Sequence, residues 1–218
     1  WETPSGKQVL IKTCRLVSLE HRHLAAMSFE LTLLNDGAPV VISSELVDTW
    51  HAPRFDPDPR RSRGFSEPPL VPQLRECDHT RFVLGFKTRE SGMTMACGCE
   101  HLIEMQADHT IDRDCRDDAA RLVLSAELKP NQSVRLLKYI TYHTSRSAPP
   151  SELAQRPHWT LDRSLRSDFE AGVIVKTPVQ PAGDSGCPRV RELLQEVVPN
   201  LIGLVGAGPD GVEANLFV

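Results

Sequence analysis

Met27, Phe29, Leu31 and Leu33 alternate with Ser28, Glu30 and Thr32, the period-two pattern of a strand with one buried face. Asn35-Asp36-Gly37 follows directly. Asp-Gly favours the left-handed backbone of a tight connection, so the pattern predicts that Pro39 to Val47 folds back antiparallel as a hairpin partner. A lone hairpin is marginal in water, so the rest of the chain must supply more sheet. Gly6 to Val17, rich in β-branched and apolar residues, predicts a strand leading into that hairpin. Downstream, Phe82, Leu84 and Phe86 alternate through Arg81 to Lys87, and Ser91-Gly92 marks a turn. From Met93 to His101, Met93, Met95, Cys97 and Cys99 share a face opposite Thr94, Ala96, Gly98 and Glu100. A polar connection, Asp108 to Asp118, precedes a strand from Arg121 to Leu128. Lys129-Pro130-Asn131-Gln132 then reads as the turn into Ser133 to Ser145, where Val134, Leu136, Ile140 and Tyr142 share a face. Regular strands with turn signals and little helical period between them predict a mainly β fold, an antiparallel β-sandwich.

Two regions break the pattern. Trp50 to Pro72 is dense in Pro and Arg, and proline cannot donate to a ladder, so a surface excursion is expected there. Past Ser145 the sheet signal stops. Pro149-Pro150-Ser151-Glu152 reads as a helix entry with Ser151 as cap, and Leu153 to Leu165 as a helix interrupted at Pro157. The 170s and 180s read as linker, and Pro188 to Val198 as a second helix, with Val190, Leu193, Leu194, Val197 and Val198 at helical spacing. The predicted organisation is a partial sandwich domain over residues 1–147, then linker helices and a divergent tail over residues 148–218.

Composition narrows the class. With 218 residues, 40% of them hydrophobic and 25% charged, the chain can bury a real core and matches a soluble globular protein. A formal net charge of -4 supplies no general attraction to nucleic acid or to an anionic membrane. Neither a membrane-length apolar run nor a signal peptide is evident, so a cytoplasmic location is expected. The six cysteines, Cys14, Cys77, Cys97, Cys99, Cys115 and Cys187, are scattered in a chain large enough not to need staples, and are expected to be reduced thiols. The chain opens at Trp1 in a phrase that sounds like the middle of a sheet protein, so it reads as a fragment.

Candidate chemistry is sparse. Gly206-Ala207-Gly208-Pro209-Asp210-Gly211 formally matches a dinucleotide fingerprint, but that motif works only where the glycines open a helix inside a βαβ unit. An ordinary glycine-rich turn is the expectation. Cys97, Cys99 and His101, with Cys77 and His79 upstream, offer soft ligands for zinc. Alternate strand residues, however, set their heads about 7 Å apart in a row, and small buried core residues are the plainer reading. Glu20-His21-Arg22-His23 has acid-base ingredients without a nucleophile, and the basic Pro/Arg excursion is ordinary solvated surface. A glycosidase needs two carboxyl groups about 5 to 9.5 Å apart across a cleft, and no acid stands out for it. No catalytic, cofactor-binding or metal residue is therefore predicted, and no cofactor.

Several separated phrases, in order, do carry a resemblance. Ser18 to Val47, with His23-Leu24-Ala25, Phe29, Asn35 and Ile42-Ser43-Ser44, is similar to the N-terminal domain of glycoside hydrolase family 65. So are the strand pair around Lys87 to His101 and the run Ser133 to Ser145, with Leu137-Lys138-Tyr139 and His143-Thr144-Ser145. The family contains maltose, trehalose and kojibiose phosphorylases and related hydrolases, and the resemblance covers Trp1 to Leu165. It implies a galactose-mutarotase-like sandwich, here incomplete at its start, followed by linker helices and an (α/α)6 barrel whose glutamate is the general acid. The stretch after Ser167 does not resemble the family's continuation, and no catalytic residue carries over. The expected function is that of a sandwich domain from an enzyme acting on α-glucosidic disaccharides, without turnover of its own. Its expected partners are a carbohydrate in the full-length enzyme and a second copy in a homodimer, with neither nucleic acid nor membrane. The alternatives are a noncatalytic carbohydrate-binding or interaction module and an unstable remnant with exposed sheet edges.

Overall fold

The computed structural model describes residues 1–3, 5–18, 21–48, 67–166, 205–207 and 211–216. In chain order its strands are β1 (Val9–Val17), β2 (Leu24–Leu33), β3 (Ala38–Val47), β4 (Leu70–Asp78), β5 (Arg81–Thr88), β6 (Thr94–Met105), β7 (His109–Cys115), β8 (Ala119–Leu128) and β9 (Ser133–Ser145). Two helices follow, α1 (Pro150–Leu153) and α2 (Gln155–Leu165), and then β10 (Val205–Ala207) and β11 (Val212–Leu216). A six-stranded antiparallel sheet runs β1-β2-β9-β6-β5-β4, and a five-stranded sheet runs β10-β11-β3-β8-β7. The second sheet is antiparallel except where β11 lies parallel to β3. The mainly β sandwich expected from alternation is the observed fold.

The apolar rows supply the glue. Met27, Phe29, Leu31, Phe82, Leu84 and Leu136 from the large sheet meet Val40, Ile42, Leu122, Leu124 and Leu128 from the small one in a single buried cluster. Each such side chain contributes about 1.5–3 kcal/mol by leaving water. On the opposite face of the large sheet, Leu24, Ala26, Leu137 and Tyr139 are covered by Leu161 of α2. The molecule thus has three layers: helix, sheet, sheet.

The expected β2–β3 hairpin does not form. β2 pairs with β1 and β9, whereas β3 pairs with β8 and β11, so Asn35-Asp36-Gly37 carries the chain from one sheet to the other. Neither Asp36 nor Gly37 adopts a left-handed backbone. Instead the Asn35 side chain accepts from the Gln8 N–H at 2.8 Å and donates to the Gly6 carbonyl at 2.9 Å, tying the crossing to the chain's start. Two strands that each carry a full apolar row bury both by facing each other across the core. The local turn signal lost to that. The turns at Gly92 and Asn131 do take positive φ, +65° and +62°.

Two strands arise where loop was expected. β4 begins inside the Pro/Arg excursion, and it tolerates Pro72 because it is an edge strand with a register shift between Pro72 and Leu74. β7 replaces the polar connection at Asp108 to Asp118; as the opposite sheet's edge it is charged and exposed, a composition that discourages edge-to-edge association. The same two edges are joined by a disulfide between Cys77 and Cys115, which corrects the expectation of six reduced thiols. Cys14, Cys97 and Cys99 are free thiols, and Cys187 lies outside the described residues.

The helical segment also departs in detail. Ser151 sits within α1 rather than capping it, and Pro157 does not interrupt a helix. It occupies the first turn of α2, where a backbone N–H has no helical acceptor to lose. From there Pro157 packs on Gly98 of β6: a Cβ built on Gly98 would lie 2.9 Å from the Pro157 Cβ and 3.2 Å from the Thr141 Cγ2. Gly98→Ala is therefore expected to push α2 from the sheet and lower stability by about 1–3 kcal/mol, read by urea denaturation. The predicted helix at Pro188 to Val198 and the linker before it lie outside the described residues.

Candidate functional site

Among the described residues two groups of polar side chains bear on function, and the first lies between the sheets. Lys138 of β9 and His101 of β6 are register partners whose side chains both reach β3. Lys138, with no exposed surface, donates from Nζ to the Glu45 carbonyl at 2.7 Å. His101 Nδ1 bonds the Thr80 carbonyl at 2.7 Å; a carbonyl only accepts, so Nδ1 carries the proton and Nε2 accepts from the Ser44 hydroxyl at 2.8 Å. Burial, reinforced by neighbouring Lys138, holds the His101 pKa down to about 3. Burial likewise lowers Lys138 to about 8. A Ser–His hydrogen bond has the outline of a nucleophile and base. Ser44 and His101 are each 1% exposed, however, and the second ring nitrogen is spent on backbone rather than on an orienting carboxylate. This is a strut between sheets.

The cysteine row belongs to the same interior. Cys97 and Cys99 face the core beside His101, and burial pushes their thiols up to about 12 and about 11. Metal binding needs thiolate, so this environment opposes it. Among the described residues no group of three His, Cys, Asp or Glu side chains is placed to hold a metal ion.

The second meeting place lies between α2 and the large sheet. Arg81 Nε pairs with Glu100 Oε2 at 2.5 Å, Glu100 Oε1 accepts from the Thr80 hydroxyl at 2.7 Å, and Arg81 Nη2 reaches Asp162 Oδ1 of α2 at 2.8 Å. His158 of α2 bonds Glu76 Oε2 through Nε2 at 2.7 Å while its Nδ1 faces Arg81 Nη1 at 3.4 Å. Because guanidinium only donates, Nδ1 is the acceptor and Nε2–H donates to Glu76. Farther along the helix, His143 bonds Thr160 at 3.0 Å and stacks on His23 with ring centroids 4.3 Å apart. Burial, with His23 and Arg156 nearby, lowers the His143 pKa to about 4.

The remaining motifs resolve as follows. Of Glu20-His21-Arg22-His23, Glu20 lies outside the described residues; His21, Arg22 and His23 line a cavity of about 290 Å³ against Thr160 and Arg163 of α2. The glycine motif joins β10 to β11, which pair antiparallel, so a strand follows Gly211 where a dinucleotide site needs a helix. A Cβ at Gly211 would lie 2.7 Å from the Pro39 carbonyl oxygen, so close strand packing accounts for that glycine. Residues 50–66 of the Pro/Arg excursion lie outside the described residues.

Two open grooves lie on the surface of the described residues. One, of about 530 Å³, contains Glu30 and Glu104, but Lys12 pairs with Glu30 at 3.4 Å and Arg135 with Glu104 at 3.3 Å. The other, of about 440 Å³, runs along α2 between Trp159, Asp162, Arg163 and Arg166. Sequence reading missed this second groove. Its residues recur at i, i+3, i+4 and i+7, a signal hidden once Pro157 was taken to break the helix.

Two facing sheets with a helical layer on one outer face define a β-sandwich domain. Residues 1–173 match the N-terminal domain of glycosyl hydrolase family 65, and the chain belongs to that family. It is 36% identical over 155 residues to an uncharacterized glycosyl hydrolase of Mycobacterium tuberculosis, covering 68% of this chain and 19% of that one. It is 22% identical over 170 residues to the alpha,alpha-trehalose phosphorylase of Thermoanaerobacter brockii, covering 78% of this chain and 22% of that one. A solved structure assigned as a kojibiose phosphorylase from the human microbiome superposes with a TM-score of 0.55 at 12% identity, over 76% of this chain and 20% of that one. The chain thus spans about a fifth of the length of these relatives. Among the described residues no helix is long and apolar enough to cross a membrane.

Proposed function

We propose that this chain is the supporting sandwich domain of an enzyme that phosphorolyses or hydrolyses an α-glucosidic disaccharide, and that these 218 residues alone turn over no sugar. The observation that carries the reading is the family match over residues 1–173 in a chain spanning 19% of its glycosyl hydrolase relative. The polar interior agrees with it, since His101, Ser44 and Lys138 are all committed to joining the sheets. In the full-length enzyme the galactose-mutarotase-like sandwich would brace an (α/α)6 barrel that holds the catalytic glutamate, and help form a homodimer. A cytoplasmic location is proposed with it.

Incubating the chain with trehalose, maltose or kojibiose, with and without inorganic phosphate, should yield neither glucose nor glucose 1-phosphate. Release of either by the isolated chain overturns the proposal. A second reading, a noncatalytic carbohydrate-binding module, is favoured by one observation, the exposed tryptophan in the groove along α2.

A further inference from the structure

We infer that the outward face of α2 is a saccharide-binding surface that takes an α-glucoside. The ligand class rests on the reading of the chain as part of a sugar-processing enzyme; the surface itself rests on the geometry of the helix. Pro157, Leu161 and Ser164 form the buried face of α2. Trp159, Asp162, Arg163 and Arg166 fall on the other side and line one open groove of about 440 Å³. Trp159 is 64% exposed, leaving a large apolar ring in water on a helix whose other face is well packed. The negative face of an indole attracts the polarised C–H groups on the flat side of a pyranose, while sugar hydroxyls need both acceptors and donors at the ring's edge.

Both are present. Asp162 is the acceptor, and its carboxylate is fixed from beneath: Oδ1 takes the Arg81 guanidinium at 2.8 Å, and Arg81 is itself held by Glu100, a residue 6% exposed. Binding therefore costs little ordering of that group. Arg166, which also lines the groove, is the donor; its Nε is occupied by the Asp162 backbone carbonyl at 3.2 Å, and its terminal N–H groups are the ones offered to a sugar. With one carboxylate beside two guanidinium groups the groove is net positive, so a phosphorylated sugar is expected to bind at least as well as the free disaccharide.

The test uses the full 218-residue chain, ¹⁵N-labelled, titrated with trehalose, maltose and maltotriose. The chain has three tryptophans, so its indole N–H region is simple, and the Trp159 signal is identified as the one missing from Trp159→Ala. The expected result is a saturable shift of the Trp159 indole signal with a dissociation constant on the order of 1 mM. Asp162→Asn should weaken it by about tenfold, and Trp159→Ala should abolish the saccharide-induced shifts on α2. Absence of a saturable shift well above millimolar sugar overturns the assignment. So do shifts unchanged by Trp159→Ala, which place the sugar elsewhere. A Trp159 signal that moves with protein concentration and not with sugar assigns the face to a polypeptide instead, and overturns it too. Dispersed spectra of both variants report that they fold. Glucose release measured on the same samples keeps the two readings apart: without turnover and without binding the domain reading stands and the surface falls, whereas turnover removes the domain reading whatever Trp159 does.

Discussion

Reducing the Cys77–Cys115 disulfide is expected to lower the unfolding free energy by about 4 kcal/mol, the loop-closure entropy of residues 38 positions apart. The link joins β4 to β7, the outermost strand of one sheet to the outermost strand of the other, each with a single neighbouring strand. Among the described residues little else ties those edges. Arg75 and Asp117 approach to 3.2 Å nearby, but their side chains are 53% and 74% exposed, and such pairs contribute little in water. For a chain of this size the expected fall in melting temperature is roughly 10 °C. Melts with and without a thiol reductant measure it, with Cys77→Ser/Cys115→Ser as the variant that should ignore the reductant. Coincident oxidised and reduced melts of the native chain would refute the expectation.

Acid should loosen the sandwich through His101. Its pKa in the folded chain is about 3, below the ordinary 6.5, because burial and Lys138 oppose a second proton. Below pH 6.5 the unfolded chain therefore binds a proton that the folded chain refuses. Stability is intact above pH 6.5 and falls as the pH drops towards 3, by up to about 1.4 kcal/mol per pH unit from this residue alone. At pH 5 the loss is about 2 kcal/mol. His143, also lowered, adds a contribution of the same sign, whereas Lys138, at about 8, is protonated in both states throughout this range. Urea denaturation at pH 7 and pH 5 tests this in the native chain and in His101→Gln. The variant should start less stable, having lost the Ser44 strut, yet respond less to acid. Equal slopes would show that His101 does not carry the dependence.

Much of the fold was legible in the sequence because a half-buried strand has to alternate. Phe29, Leu31, Phe82, Leu84, Val134 and Leu136 announced their faces, and all six are in the core. Pairing was less legible. Asp36-Gly37 signals a hairpin locally, but whether two apolar rows lie side by side or face to face is decided by the whole sandwich. β4 and β7 escaped notice because an edge strand needs no clean apolar face, and β11 because Val212 to Leu216 is short and distant from its partner β3. The cysteine pair was illegible for a related reason: Cys77 and Cys115 meet only once both edges are in place. On the candidate site, charges such as Arg81, Glu100 and Asp162 look like ordinary solvated surface until the packing of α2 brings them together.

The parallel pairing of β11 with β3 has a consequence for biosynthesis. β3 ends at Val47 and β11 begins at Val212, so the ribosome takes on the order of 10 s to deliver the strand that covers that side of β3. During that interval the nascent chain presents Val40 to Ser44 with a row of backbone donors and acceptors still unmatched. A chaperone that shelters extended segments has its natural target there, and a stop codon upstream of β11 would leave the same flank permanently bare.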